Sequence, residues 1–391
     1  MPLRLTTAGE SHGPRLTAIL SGIPAGLRLD PDSVRTELAR RQHGYGRGGR
    51  MKIERDEPLF EAGLRGGITL GSPIAIGIVN LDHANWRDAM DPLAVDAEAV
   101  RRRRVTRPRP GHADLAGGMK YGARDLRDVF ERASARESAA RVAAGAVCKR
   151  LLAECGIEVS SGVLAVGAAV DASSPRSFEA VARVSDGSPL RALDPRVEAE
   201  MVAAIDAARA AGDTLGGAIL VAARGVPAGL GSYASWDRKL DGRIGQALLS
   251  VPAVKAVELG GAIEASRGPG SRAHDEIETG SGGALRRRSN RAGGLEAGVS
   301  NGEDVVAVAY MKPISTLARG LDSVDLETGE PSRAAYERSD VCAVPACGVI
   351  CEAMLAFVLA DAVLEATGGD RMEDVRERLA AHRERVGRYP R

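Results

Sequence analysis

Residues 348–366 read GVICEAMLAFVLADAVLEA, and the reading of this stretch decides the fold. A surface helix carries an apolar stripe, whereas this one is apolar nearly all round and therefore belongs in the interior. It is not read as a membrane span: the longest apolar stretch, 353–360, ends at Asp361, well short of the roughly 20 residues a bilayer crossing needs. Around it, strand-like segments at 16–20, 73–79, 163–170, 217–223 and 305–310 mix β-branched with small residues. Several alternate with period two, as Ile74, Ile76 and Ile78 do. That alternation implies one buried face per strand, hence sheets packed on helices.

The other helices are signalled by their ends. Asp30-Pro31 supplies an N-cap and a first-turn proline, with Val34 and Leu38 as an apolar i, i+4 pair, so a helix should run into Arg40 and Arg41. Asp194-Pro195 repeats this start, with Val197, Met201 and Ile205 on one face and Gly212 as a stop. Ser134-Ala135-Arg136-Glu137 has a capping-box pattern, predicting a third helix through Val142, Val147 and Leu151 to Gly156. After Gly369, charged residues alternate with Met372, Val375 and Leu379, the pattern of a peripheral surface helix with a frayed end. No low-complexity linker divides these pieces. One α+β domain spanning residues 1–391 is the expectation.

Charge and cysteine usage narrow the function. Fifty-three basic and 52 acidic residues leave a formal charge of +1, which gives no general attraction to nucleic acid or an acidic membrane. The basic residues are clustered at 40–50, 101–109 and 286–291, so local anion sites are favoured over a global field. Cys148, Cys155, Cys342, Cys347 and Cys351 show neither zinc spacing nor a disulfide framework, so no metal is expected and the thiols read as reduced core residues. With no apolar signal core at residues 1–13, a cytoplasmic location is expected.

Two histidine motifs carry the chemistry: Gly9-Glu10-Ser11-His12-Gly13 and Arg107-Pro108-Arg109-Pro110-Gly111-His112-Ala113-Asp114. Imidazole titrates near neutrality and arginine presents a donor fork for phosphate or carboxylate, so together they equip a site for proton transfer to a multiply charged anion. The loop 40–50 adds Arg40, Arg41, Arg47 and Arg50 among glycines that would let the backbone approach a ligand; a solvated basic turn is the alternative. Arg101 to Arg104 read as an exposed face. Arg132 and Arg136 flank Ser134 at a predicted helix N-terminus, where a bound anion would account for them. His43, His83, His274 and His382 are unassigned.

Ten segments, 7–13, 40–50, 107–114, 120–122, 132–137, 213–217, 270–276, 290–294, 312–316 and 338–345, taken in this order, resemble the chorismate synthase family. The resemblance implies a helical layer between two antiparallel sheets, assembled as a homotetramer. It implies a carbon–oxygen lyase of the shikimate pathway that converts 5-enolpyruvylshikimate 3-phosphate to chorismate by 1,4-anti elimination of phosphate. Reduced FMN is required although no net redox change occurs; NADPH or an external flavin reductase would supply the reduced flavin.

Residue by residue, His12 resembles the group that protonates the departing phosphate, and His112 the one that protonates anionic reduced flavin. Asp340 resembles the carboxylate that works with flavin N5 to remove the C6 proton. Arg132, Ala133, Ser134, Pro252, Ala253, Ala297, Lys312, Pro313, Ile314, Ser315, Thr316 and Arg338 match FMN positions. Ser11, Arg50, Arg109, Ser134 and Arg136 match substrate contacts, while Arg41 and Arg47 match positions given to a pyridine nucleotide or the substrate phosphate. Ala297 departs from a usual glycine, and Pro252 from Gln or Asn. A flavin reductase would share the FMN pocket but consume NAD(P)H in proportion to product. A nucleic-acid binder would use the arginine clusters, against which near-neutral charge and scarce aromatics argue.

Overall fold

The computed structural model describes residues 2–49, 53–185, 187–280, 285–337 and 339–389. The interior helix forms as Val344–Thr367, and its one charged core residue, Glu352, is wholly buried. By length and composition it passes for a membrane span, yet it lies inside the fold. Glu352 explains how a charge is tolerated there. Arg40 grips it with two bonds of 2.7 and 2.8 Å, Lys149 adds 2.8 Å, Ser161 2.7 Å and Arg191 3.3 Å. Burial pushes the Glu352 carboxyl up, but Lys149, Arg40 and Arg191 outweigh it and hold the group ionised, well below the usual range.

Two antiparallel sheets enclose the helices. One runs in the order Arg4–Ala8, Arg15–Ser21, Ile74–Val79, Pro58–Ala62; the other Val254–Leu259, Val305–Met311, Gly217–Arg224, Glu158–Val166, Ala169–Val170. In the first, Leu16, Ala18 and Leu20 pair with Ile78, Ile76 and Ile74 on the buried face, as the period-two reading required. The second departs from that reading. Its central strands are buried on both faces, because the short helix Phe178–Ala182 covers Leu164, Leu220, Val306 and Val308 from outside. The segment 163–170 also breaks at Gly167, where φ is +56°, so the strand ends at Val166.

Ser138–Glu154 packs on the first sheet, Val344–Thr367 on the second, and the two helices pack on each other. The α+β sandwich with a helical middle layer is therefore as expected. Pro31–Gln42 starts at its Asp30 cap and Pro195–Ala210 at Asp194, as read from sequence. The capping box does not close: Ser134 accepts from Arg136 N–H, a 3₁₀ turn intervenes, and Glu137 binds Thr7 and Arg141 instead. All five cysteines are free and buried. In the last helix, Met372–Gly387, the apolar residues Met372, Val375 and Leu379 join the main core.

The closest helix contact is at Gly145. A Cβ there would sit 2.3 Å from that of Ala353, a separation real atoms do not adopt. Alanine is the better helix former by about 1 kcal/mol, but overpacking a tight interior costs about 1–3 kcal/mol, so the clash should win. Gly145→Ala is thus expected to lower stability, and Gly145→Val to lower it further. Urea unfolding checks this; an unchanged or raised midpoint for Gly145→Ala would refute the close-contact account.

Candidate active site

The predicted site residues converge on one cavity of about 870 Å³ at the edge of the helical layer. Ser11, His12, Arg41, Arg47, Arg109, His112, Ala133, Ser134, Arg136, Pro252, Ala253, Lys312, Ile314, Ser315, Thr316 and Asp340 all line it. Arg132, Pro313 and Ala297 do not. Arg132 points the other way, donating to the Thr7 carbonyl at 3.0 Å and the Gly9 carbonyl at 3.3 Å, so tying down the first strand accounts for it without an anion. Ala297 occupies a turn at φ +52°, left-handed backbone that suits the glycine the resemblance expects there. Arg50 and Arg338 lie outside the described residues.

His12 sits in the turn after the first strand. Its Nδ1 is 2.8 Å from Glu131 Oε1, its ring stacks on Trp86 at 4.0 Å, and Nε2 is 3.9 Å from Asp82. His112 is built alike: its Nδ1 is 2.5 Å from Asp114, which heads the helix Asp114–Tyr121. Arg109 binds the same carboxylate at 2.8 and 3.0 Å and reaches Thr316 at 2.8 Å. Burial raises Asp114, but hydrogen bonds from His112 and Arg109 drive it well below the usual carboxylate range. Glu131 follows the same balance: burial pushes it up, and His12 and Arg127 bring it below its ordinary value.

In the arginine loop, Gly46 and Gly48 pack against protein, and Gly48 also lines the cavity. Gly46, at φ +90°, lies against Cys342, and a Cβ on Gly48 would meet the Ser339 carbonyl at 2.8 Å. This contact lets Gly48 N–H donate to Asp340 at 2.6 Å while Arg47 pairs with its other oxygen at 2.9 Å. Arg41 is buried, 2.6 Å from Asp56. Arg136 shares Asp56, with Asn80 at 3.0 Å and Glu54 at 3.4 Å behind it. Carboxylates and an amide therefore account for Arg136, though it still faces the cavity.

Several site residues were missed. Arg102, Arg103 and Arg104 are exposed, as read from sequence, and they also line the cavity, with Arg103 over Trp86 at 4.0 Å. The helix Arg127–Ala133, carrying Arg127, Phe130 and Glu131, was also missed; Asp125 with Leu126 and Phe130 four residues on was its signal. In the 286–291 cluster, Arg286, Arg287 and Arg288 pair with Glu278, Glu296 and Glu276 and lie outside the cavity. Among the described residues, nine arginines and Lys312 face the cavity against three carboxylates, Asp82, Glu337 and Asp340. Such a surplus of cations suits an anionic ligand.

An α-helical layer between antiparallel sheets holds a cationic cavity with two carboxylate-held histidines, groups suited to proton transfer on a polyanion. The sequence profile of chorismate synthase matches residues 3–364. Chorismate synthases of Moorella thermoacetica and Thermus thermophilus are 55% identical over 382 residues and 53% over 387, covering 98% and 99% of this chain and 98% and 100% of their own. A crystal structure of chorismate synthase matches with a TM-score of 0.80 at 40% identity, covering 100% of this chain and 99% of that one. The chain belongs to the chorismate synthase family, carbon–oxygen lyases that act on a phosphate ester at the last step of the shikimate pathway.

The buried ion pairs give the site a pH signature. Asp56 is raised by burial but lowered further by Arg41 and Arg136, so its native pKa lies below its unfolded one. A depressed carboxylate stabilises the fold fully above its unfolded pKa of about 3.9 and loses that contribution as pH falls through the native value. Asp56→Asn removes the carboxylate that two buried cations share, leaving Arg136 only Glu54 and Asn80, and should cost roughly 3–5 kcal/mol at pH 7. The gap to wild type should narrow in acid, where Asp56 itself protonates. Urea titrations at neutral and acid pH decide it: a gap independent of pH would sink the account.

Proposed function

We propose that this cavity carries out the 1,4-anti elimination of phosphate from 5-enolpyruvylshikimate 3-phosphate, giving chorismate, with reduced FMN as cofactor. The observation that carries the reading is the make-up of the cavity: many cations together with the uncharged residues Ala133, Pro252, Ala253 and Ile314. Its volume of about 870 Å³ is near the top of the range of about 300–1,000 Å³ for small-molecule sites, in keeping with cofactor and substrate side by side.

The residues fit a flavin mononucleotide. Ala133, Pro252, Ala253 and Ile314 offer an uncharged wall to a flat ring, and Ala253 is held at φ +68° with its carbonyl accepting Lys312 N–H at 2.9 Å. Ser134, Lys312, Ser315 and Thr316 supply donors for hydroxyls and phosphate. Burial, then Lys255, pushes the Lys312 ammonium below its ordinary value, a strain that a neighbouring phosphate would relieve. Bound reduced FMN supplies electron density to the allylic centre as phosphate leaves.

The chain's own groups do the rest. Arg47, Arg109 and Arg136, with Ser11 and Ser134, hold the substrate's phosphate and carboxylates; Ser11 Oγ and Ser134 Oγ stand 3.1 Å apart. Arg41, 3% exposed and committed to Asp56, suits a compact substrate phosphate better than a bulky nucleotide. His12 donates a proton to the departing phosphate, whose second pKa of about 6 suits an imidazolium. His112 keeps the reduced cofactor's proton balance. Asp340 accepts the C6 proton, and its pair with Arg47 must loosen as it does. Outward-facing Ile19, Leu59 and Val79 on the first sheet support self-association, read here as a homotetramer.

Anaerobic turnover with photoreduced FMN tests the reading. Chorismate and phosphate should form in equal amounts over many turnovers without NADPH; NAD(P)H consumed in proportion to product would favour a reductase. His112→Ala should slow turnover by roughly 10²- to 10⁴-fold with the fold intact. Asp340→Asn keeps size but removes the charge, so kcat should collapse while the substrate still binds. Collapse of binding instead would make the Arg47–Asp340 pair structural.

A further inference from the structure

A histidine donates from one ring nitrogen, and the partner of the other nitrogen decides which one it is. At His12 that partner is Glu131, 119 residues further along the chain. Glu131 Oε1 is 2.8 Å from Nδ1, Oε2 accepts the His12 backbone N–H at 2.7 Å, and the Glu131 carbonyl accepts Ser11 N–H at 3.0 Å. Its side chain is 0% exposed, and Arg127 steadies it from one turn earlier on the same helix at 3.3 Å. Trp86 covers a face of the imidazole at an interplanar angle of 20°. The ring is thus fixed in position and rotation, and Nε2 is the nitrogen not taken up by Glu131.

An ionised carboxylate only accepts, so Nδ1 must carry a hydrogen as long as Glu131 is charged. We propose that Glu131 is a positioning residue for His12, keeping a hydrogen on Nδ1 so that Nε2 is the atom that gives its proton to the leaving phosphate. This rests on the reading of His12 as the proton donor. In the step, Asp340 takes the C6 proton, the C6–H electron pair forms a C6–C1 double bond, the C1–C2 π pair moves to C2–C3, the C3–O bond breaks with its pair on the phosphate oxygen, and that oxygen takes the Nε2 proton. The ring is left neutral with Nδ1–H still on Glu131, and a solvent proton, balancing the one Asp340 gives up, restores Nε2–H.

A merely structural Glu131 would hold the turn and nothing more. Glu131→Gln separates the two roles, because an amide keeps the length yet can donate to Nδ1 and so favour the opposite tautomer. Its kcat should fall roughly 10²- to 10⁴-fold with little change in KM or FMN affinity. In a His12→Ala background the same substitution should cause no further loss. Nitrogen-15 spectra of labelled histidine in the FMN- and substrate-saturated wild-type enzyme should show hydrogen on His12 Nδ1, and the variant should show it on Nε2. Equal losses in both backgrounds, or a wild-type ring with a bare Nδ1, would overturn the proposal. The wild-type spectrum decides alone if the variant does not fold. His12→Ala turning over at the wild-type rate would overturn the donor reading and the proposal together, whereas a bare Nδ1 defeats the proposal alone.

Discussion

Among the described residues, nine arginines and a lysine line one cavity, and the buried Arg41, Arg109 and Arg136 have buried carboxylates behind them. Glu54, Asp56, Asp114 and Glu131 have side chains 0% exposed, each deeper than the arginine or histidine it holds. A cation stranded in so dry a setting would cost several kcal/mol, and a like-charged neighbour would add to it. The carboxylate layer removes most of that cost and fixes the direction of each guanidinium and imidazole. It does not neutralise the cavity surface, where cations still outnumber acids. The remaining imbalance is what an anionic ligand completes, so the same layer serves stability and recognition.

That layer was the least legible part of the sequence. Local grammar revealed what local physics dictates: Asp30-Pro31 and Asp194-Pro195 opened helices, Ile74, Ile76 and Ile78 marked a one-sided strand, and the stretch around Glu352 lay in the interior. The histidine motifs showed because glycine and arginine stand beside them. Glu131 and Asp56 stand in no motif, and their partners are 119, 80 and 15 residues away. Only the folded chain makes them neighbours. Arg102 to Arg104 are solvated, as their run of like charges suggested, but that run gave no sign that Arg103 lies over Trp86 beside the cavity. In the arginine loop, Gly46 and Gly48 seat the chain on the 339–342 segment, a contact that no local pattern announces.

The interior ion cluster and the cavity are not independent features. Arg40 and Arg41 are adjacent in the last turn of Pro31–Gln42, and successive helical residues point about 100° apart. Arg40 therefore turns inward to Glu352, and Arg41 turns toward Asp56 and the cavity. Glu352 lies in the middle layer, held also by Lys149 from the neighbouring helix and Ser161 from the second sheet. One carboxylate thus sets the rotation of the helix that delivers Arg41. A buried ion pair is weak evidence for net stability, since an apolar replacement is often as stable, but it specifies a single arrangement. Here the arrangement specified is the distance from the core of the sandwich to the cationic wall, and the loop that carries Arg47 to Asp340 follows directly from the end of that helix.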